Sequence, residues 1–253
     1  MLPYHDENET QRTAVVTIAL IAMNVAAWLG FQGAGLSGAL ATSICDLGLI
    51  PAGLTGAVAV GTDVPVGPGI VCSVSGPGFQ VGHVVTSMFL HASWMHLLGN
   101  MWFLWLFGNN IEDSMTRGRF AAFFLLCGIA AAALQIITDP NSVIPMVGAS
   151  GAVSGVMGGY LVLYPRVRVF TLVPLGFFMT TVALPAWVML LYWAGLQLLS
   201  GLVTLTGTRP GGVAFWAHVG GFLAGVLLVK VFERPDRAAA HGARNWHPRQ
   251  PGW

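Results

Sequence analysis

Charge is what this chain has least of. Asp, Glu, Lys and Arg together make up 8% of its 253 residues, while 55% are apolar. That balance excludes an ordinary soluble domain and places the chain in the membrane class. The net charge is +1, with no basic block and no basic-aromatic interleaving, so nucleic acid is not an expected partner. Residues 32–80 contain no Lys or Arg at all. Internal repeats are absent. The first twelve residues are polar and acidic, unlike a signal peptide or an Arg-rich transit peptide. Cysteine is scarce, with only Cys45, Cys72 and Cys127.

What is present is a series of apolar runs. A bilayer core needs about 20 residues of helix. Spans are read at residues 13–31, 82–107, 120–137, 147–163, 184–203 and 213–232. A short segment, 1–12, precedes them. Residues 32–80 form a long outer loop rich in Gly, Pro, Ser and Thr, and 233–253 form a tail. The expected fold is an all-α, six-helix membrane bundle covering 13–232. Placing both termini inside puts ten of the eleven Lys and Arg residues on the inner side and leaves only Arg209 outside. Cytoplasmic loops carry such an excess. The stretch 168–183 is apolar but short and interrupted by Pro174 and Gly176, and is read as an interfacial segment on the inner surface.

Polar residues within spans are costly and by default mark function. The second span carries His91, His96 and Asn100, the fourth Ser150 and Ser154, and the sixth His218. No Asp or Glu falls within a span as drawn. Around Ser150 the chain reads Gly148-Ala149-Ser150-Gly151, which has two readings. One is a small-residue packing face continued by Gly155, Gly158 and Gly159. The other is a nucleophile with room for a substrate backbone. Ser150 stands 16 residues before Arg166, and His218 stands 16 before Arg234. At 1.5 Å per residue both side chains sit about 24 Å above the inner surface, nearer the outer face. Gly221 and Gly225 follow His218 on a Gly-x-x-x-Gly face, which lets the fourth and sixth spans approach closely. A Ser150–His218 dyad is therefore expected, with Ser150 as nucleophile and His218 as general base. Gly148, Gly151, Gly221 and Gly225 are expected to pack around it. His96 and Asn100, spaced i, i+4, share a helix face and can donate to an oxyanion together with the Ser150 backbone N–H. His91 is read as structural. The i, i+5 spacing of His91 and His96 does not align two ligands, so no metal or other cofactor is expected.

Three motifs stand in order: His91-Ala92-Ser93-Trp94-Met95-His96-Leu97-Leu98-Gly99-Asn100, then Gly148-Ala149-Ser150-Gly151, then Ala217-His218-Val219-Gly220-Gly221. In these the chain resembles the rhomboid family of intramembrane serine proteases, from the second span to the sixth. The resemblance implies a six-helix fold, Ser150 as nucleophile, His218 as base, and His96 and Asn100 at the oxyanion. It implies that the substrates are membrane-spanning proteins cut near their outer boundary. Two departures are visible. Some members carry a Trp-Arg pair in the first loop, which here has no Arg. Some carry Tyr four residues after the nucleophile, where this chain has Ser154, so the support for the His218 ring is unassigned.

Cys45 and Cys72 both lie in the outer loop, where a disulfide can persist, and a bridge between them is expected. The lipid bilayer is the expected surroundings, specifically a bacterial plasma membrane. No pattern specifies an oligomeric state. Two other readings compete with the peptidase. A rhomboid-like client-binding protein would lack the Ser or the His. A transporter would be expected to show inverted repeats or intramembrane charge, and neither is present.

Overall fold

The computed structural model describes residues 2–67, 70–176, 178–206 and 212–238. Along them run strand β1 (Leu2–Asp6), helices α1 (Val15–Gly30), α2 (Ser37–Leu47) and α3 (Pro51–Thr55), and strands β2 (Asp63–Gly67) and β3 (Ile70–Ser73). Helices α4 (Pro77–Thr86), α5 (Trp94–Ser114), α6 (Arg117–Thr138) and α7 (Ser150–Leu163) follow. Strands β4 (Arg168–Leu175) and β5 (Phe178–Pro185) precede α8 (Ala186–Leu205) and α9 (Phe215–Phe232). Arg209, Arg244, Arg249 and the tail beyond residue 238 lie outside the described residues. Among those described, α6, α8 and α9 are long and apolar enough to cross a membrane, and α1 and α7 are shorter apolar helices.

Small residues set the centre of the bundle. A Cβ placed on Gly221 would stand 1.9 Å from the Gly151 carbonyl oxygen, and one on Gly225 would stand 1.9 Å from that of Gly155. Helices α7 and α9 thus touch backbone to backbone, as glycine faces permit. Gly155 also packs on Cys127 of α6, so the three helices meet there. Phe107, Phe120, Phe123, Phe124 and Tyr160 fill the remaining core without solvent exposure.

The structure corrects several expectations. The run 82–107 is not one helix. Helix α5 begins only at Trp94, where the Ser93 hydroxyl accepts the His96 N–H at 3.2 Å, an N-cap geometry. It then continues to Ser114, so Glu112 and Asp113 belong to a helix. Glu112 is buried because it caps α1. Its carboxylate accepts Val16 N–H (2.9 Å), Thr17 N–H (2.7 Å) and the Thr17 hydroxyl (2.8 Å). Orphan donors at a helix start attract such an anion.

The fold is also not all-α, although it is mostly helical. The 168–183 segment is a hairpin, β4–β5, in which Arg168 pairs with Pro185 and Leu175 with Phe178. Its β-branched and aromatic run suits strands, and Gly176, at φ 61°, supplies the turn. The N-terminal segment adds β1 to the open edge of β4, giving the antiparallel order β1-β4-β5. The described residues of the 32–80 loop hold α2, α3 and the paired strands β2 and β3. Gln80 ties that loop together by accepting Ile50 N–H and donating to Ser75 Oγ, each at 2.8 Å.

Two contacts place β1 along α5. Trp102 Nε1 donates to the Pro3 carbonyl at 2.7 Å, and Asn110 Nδ2 donates to Asp6 Oδ2 at 2.9 Å. The helix advances about 12 Å between its two contacts and the strand about 10 Å, so the two run side by side. The Tyr160 hydroxyl also donates to Asp6 Oδ2, at 2.6 Å. Burial pushes the Asp6 carboxyl from 3.8 up to about 6, against the Tyr160 hydrogen bond, which lowers it. The stability that neutral Asp6 contributes is therefore full below pH 3.8 and is lost as pH rises through about 6. Asp6→Asn keeps an acceptor for both donors and cannot ionise. It is expected to raise the thermal midpoint in detergent by several degrees at pH 7.5 and by much less at pH 4.5. Equal shifts at the two pH values would contradict this account.

Candidate active site

The site forms where α7 begins, because the chain entering that helix is held by three backbone hydrogen bonds. Met146 and Leu49 exchange backbone hydrogen bonds of 2.7 and 3.1 Å, and Gly148 N–H donates to the Ser87 carbonyl at 2.9 Å. Gly148 has φ +123°, a conformation that side chains disfavour. Ser150 is the first residue of α7, and Val153 N–H makes the bond back to Ala149 O at 2.9 Å. The N–H groups of Ser150, Gly151 and Ala152 precede that bond and lie at the positive end of the helix dipole.

His218 lies in the first turn of α9. The glycine contact between α7 and α9 brings its Nε2 to 2.8 Å from Ser150 Oγ. Its Nδ1 lies 2.8 Å from Gln197 Oε1 on α8. The imidazole packs beside Trp193, with ring centres 5.9 Å apart, and meets Phe215 edge-on at 6.5 Å. These three residues supply the ring support that the sequence left unassigned. Ser154 does not reach the ring; its hydroxyl donates to the Ser150 carbonyl one turn back, at 2.6 Å.

His96 sits in the first turn of α5. Its Nδ1 accepts the Ala92 N–H at 3.3 Å, which leaves the proton on Nε2. That edge of the ring faces Gly148. A Cβ on Gly148 would lie 2.7 Å from His96 Nε2 and 3.5 Å from Ser150 Oγ. The absent side chain thus lets the His96 ring close onto the backbone beside Ser150, where a Cβ would collide with it. Asn100 is drawn differently from its expected role, since its Nδ2 donates to the His96 carbonyl at 2.9 Å. One of its two N–H groups is committed to its own helix.

His91 precedes α5 and is fully buried, edge-on to His96 with ring centres 5.1 Å apart. Its backbone is clamped by Gln32, which donates to the His91 carbonyl and accepts the His91 N–H, both at 2.7 Å. Beside Ser150 a cavity of about 40 Å³ is walled by Met88, Gly128, Ala131, Gly151 and Ala217. Cys45 of α2 and Cys72 of β3 are joined in a disulfide, and Cys127 is a buried free thiol. Among the described residues no group of three or more His, Cys, Asp or Glu could hold a metal ion. Sequence reading passed over Gln32, Gln197 and Trp193. Gln197 carried a usable signal, since it is a polar residue within the apolar run 184–203.

The sequence model of the Rhomboid domain matches residues 78–235, well over half of the chain. The chain belongs to the rhomboid family. It is 28% identical over 174 residues to "Rhomboid protein 1, mitochondrial" of Saccharomyces cerevisiae, covering 64% of this chain and 46% of that protein. To "Rhomboid-like protein 11, chloroplastic" of Arabidopsis thaliana it is 30% identical over 155 residues, covering 57% of this chain and 50% of that one. To "Putative rhomboid protease YdcA" of Bacillus subtilis it is 35% identical over 78 residues, covering 31% and 39%. The chain spans about half the length of the first two relatives. As a rhomboid with several apolar helices it is a membrane protein. All three motifs, including His96, Ser150 and His218, lie inside the matched rhomboid domain.

Proposed function

We propose that this rhomboid is an intramembrane serine endopeptidase that cuts membrane-spanning proteins near their outer boundary. The observation that carries the reading is the 2.8 Å contact between Ser150 Oγ and His218 Nε2, with His96 Nε2 packed against Gly148, two residues before the serine. His218 takes the serine proton as Oγ attacks the scissile carbonyl. Electron density moves to the carbonyl oxygen, which His96 Nε2–H and the free N–H groups at the start of α7 receive. The proton then passes from His218 to the leaving amine. Water, deprotonated by His218, breaks the Ser150 ester, and the proton returns to Oγ. A client-binding protein has no use for a hydrogen-bonded Ser–His pair with donors beside it.

The proposed topology is six spans with both termini inside. It sets Ser150 and His218 near the outer face, where water can enter. The small cavity beside Ser150 suits a small side chain next to the scissile bond. A substrate helix hides its carbonyls, so cleavage is expected where the span frays, at helix-weakening residues. The relatives' names divide among mitochondrial, chloroplastic and bacterial proteins and do not favour the bacterial plasma membrane expected from the sequence.

The test is reconstitution of the wild-type chain with a tagged single-span protein and mass mapping of the products. One cut near the outer boundary is expected. No cut, or a cut on the inner side, overturns the proposal. In the same assay His96→Ala is expected to lower kcat by about 10²- to 10³-fold, the usual effect of losing one oxyanion donor. Asn100→Ala is expected to cost less, because one of its N–H groups is bonded within α5. Loss in Asn100→Ala equal to or above that in His96→Ala would reverse the assignment.

A further inference from the structure

We propose that Gln197 is the positioning residue for His218, a neutral amide standing where soluble serine proteases commonly place a carboxylate. The inference rests on the peptidase reading and adds a third member to the dyad. Gln197 Oε1 lies 2.8 Å from His218 Nδ1. A carbonyl oxygen only accepts, so Nδ1 must carry the proton. Nε2 is then the unprotonated nitrogen, and it is the one 2.8 Å from Ser150 Oγ. Without an acceptor at Nδ1, the ring is free to hold its proton on Nε2, where it cannot take another from serine.

Helix α8 is built for this contact. Gln197 follows Trp193 by one turn, so both project from one face. Trp193 walls the His218 ring while packing on Phe222 of α9, with centres 6.2 Å apart, and Gln197 engages the ring's edge. A glutamine in an apolar helix is costly unless its amide is used.

The proton balance is closed. Serine's proton moves to Nε2 as the Oγ–C bond forms, and it leaves on the amine as the C–N bond breaks. The Nδ1 proton stays on the ring throughout, and Gln197 neither gains nor loses one. When the ring is imidazolium, the Nδ1–H···O bond becomes charge-assisted and strengthens. Gln197 therefore acts mainly in the transition state, which separates it from a residue that merely packs α8 against α9.

The test uses the full chain in proteoliposomes with a tagged single-span substrate, and a fluorophosphonate to label the nucleophile directly. Gln197→Met keeps length and removes the acceptor. It is expected to lower kcat by about 10- to 100-fold, as for a hydrogen bond to a charged group, with KM within about twofold. The labelling rate of Ser150 should fall in parallel. Gln197→Glu restores an acceptor and adds charge. It is expected to retain more activity than Gln197→Met and to move the acid limb of the pH–rate profile to higher pH, because a carboxylate favours imidazolium. Wild-type kcat in Gln197→Met overturns the inference, as does a Gln197→Glu profile superimposable on wild type. If Gln197→Met does not fold, the Gln197→Glu profile decides alone. A wild-type chain that neither cleaves nor labels overturns the peptidase reading itself, which is a different result from an active wild type with an unaffected Gln197→Met.

Discussion

Ser150→Ala is expected to abolish cleavage while the protein still inserts and folds. The substitution removes one hydroxyl from the first turn of α7 and leaves the backbone that Gly148 and Ala149 set up. The lost oxygen holds a 2.8 Å contact with His218 Nε2 and is the atom proposed to attack. Ser154 cannot replace it, since its hydroxyl is turned back onto the Ser150 carbonyl. The loss should be at least about 10⁴-fold, the scale seen when members of such a unit are removed. His218→Ala should match it, and the double variant should be no worse than either, because the two residues act as one device. Product formation per unit of inserted protein is the measurement. Turnover by Ser150→Ala above about 1% of wild type would remove Ser150 from the mechanism.

Gly221→Ala is expected to be nearly as damaging by a different route. Its new methyl would stand 1.9 Å from the Gly151 carbonyl oxygen, a backbone atom that cannot rotate away. Helix α9 must move from α7 by more than about 1 Å to relieve that contact, and Ser150 and His218 must part with it. A misplacement of about 1 Å can cost roughly 10²-fold in rate. Stability should fall too, because one of the two backbone contacts between α7 and α9 is opened. Gly195→Ala is the matched control: its Cβ would meet nothing within 4 Å, and alanine favours the helix. Activity and thermal midpoint should both drop in Gly221→Ala and hold in Gly195→Ala. Equal behaviour of the two variants would show that α7 and α9 do not need backbone contact.

The bundle's inner end shows how far sequence reading reaches. Glu112 and Asp113 stand beyond an apolar run and read as loop, yet they close helix α5. Their place depends on donors about a hundred residues earlier: Val16 and Thr17 for Glu112, and Gln11 and Arg12 for Asp113. The outer loop is similar. Its Gly- and Pro-rich composition reads as irregular, but Gln32 and Gln80 side chains supply the hydrogen bonds that order it.

By itself the sequence determines the membrane class, the apolar runs that become α1 and α6 to α9, and the candidate Ser150–His218 pair. Each follows from local quantities: low charge, run length, and helix rise counted from a basic residue. Depth is readable because a helix converts residue number into height. Azimuth is not, since it depends on which neighbours a helix meets. Only the tertiary structure decides that Gln197 of α8 turns toward His218, that the His96 ring packs against Gly148, and that Asn100 bonds back to its own helix. It alone joins β1 to β4, strands more than 160 residues apart whose backbone groups carry no sequence label for their partners. Long-range pairing is a property of the packed chain, and so is the 2.8 Å contact between Gln197 and His218.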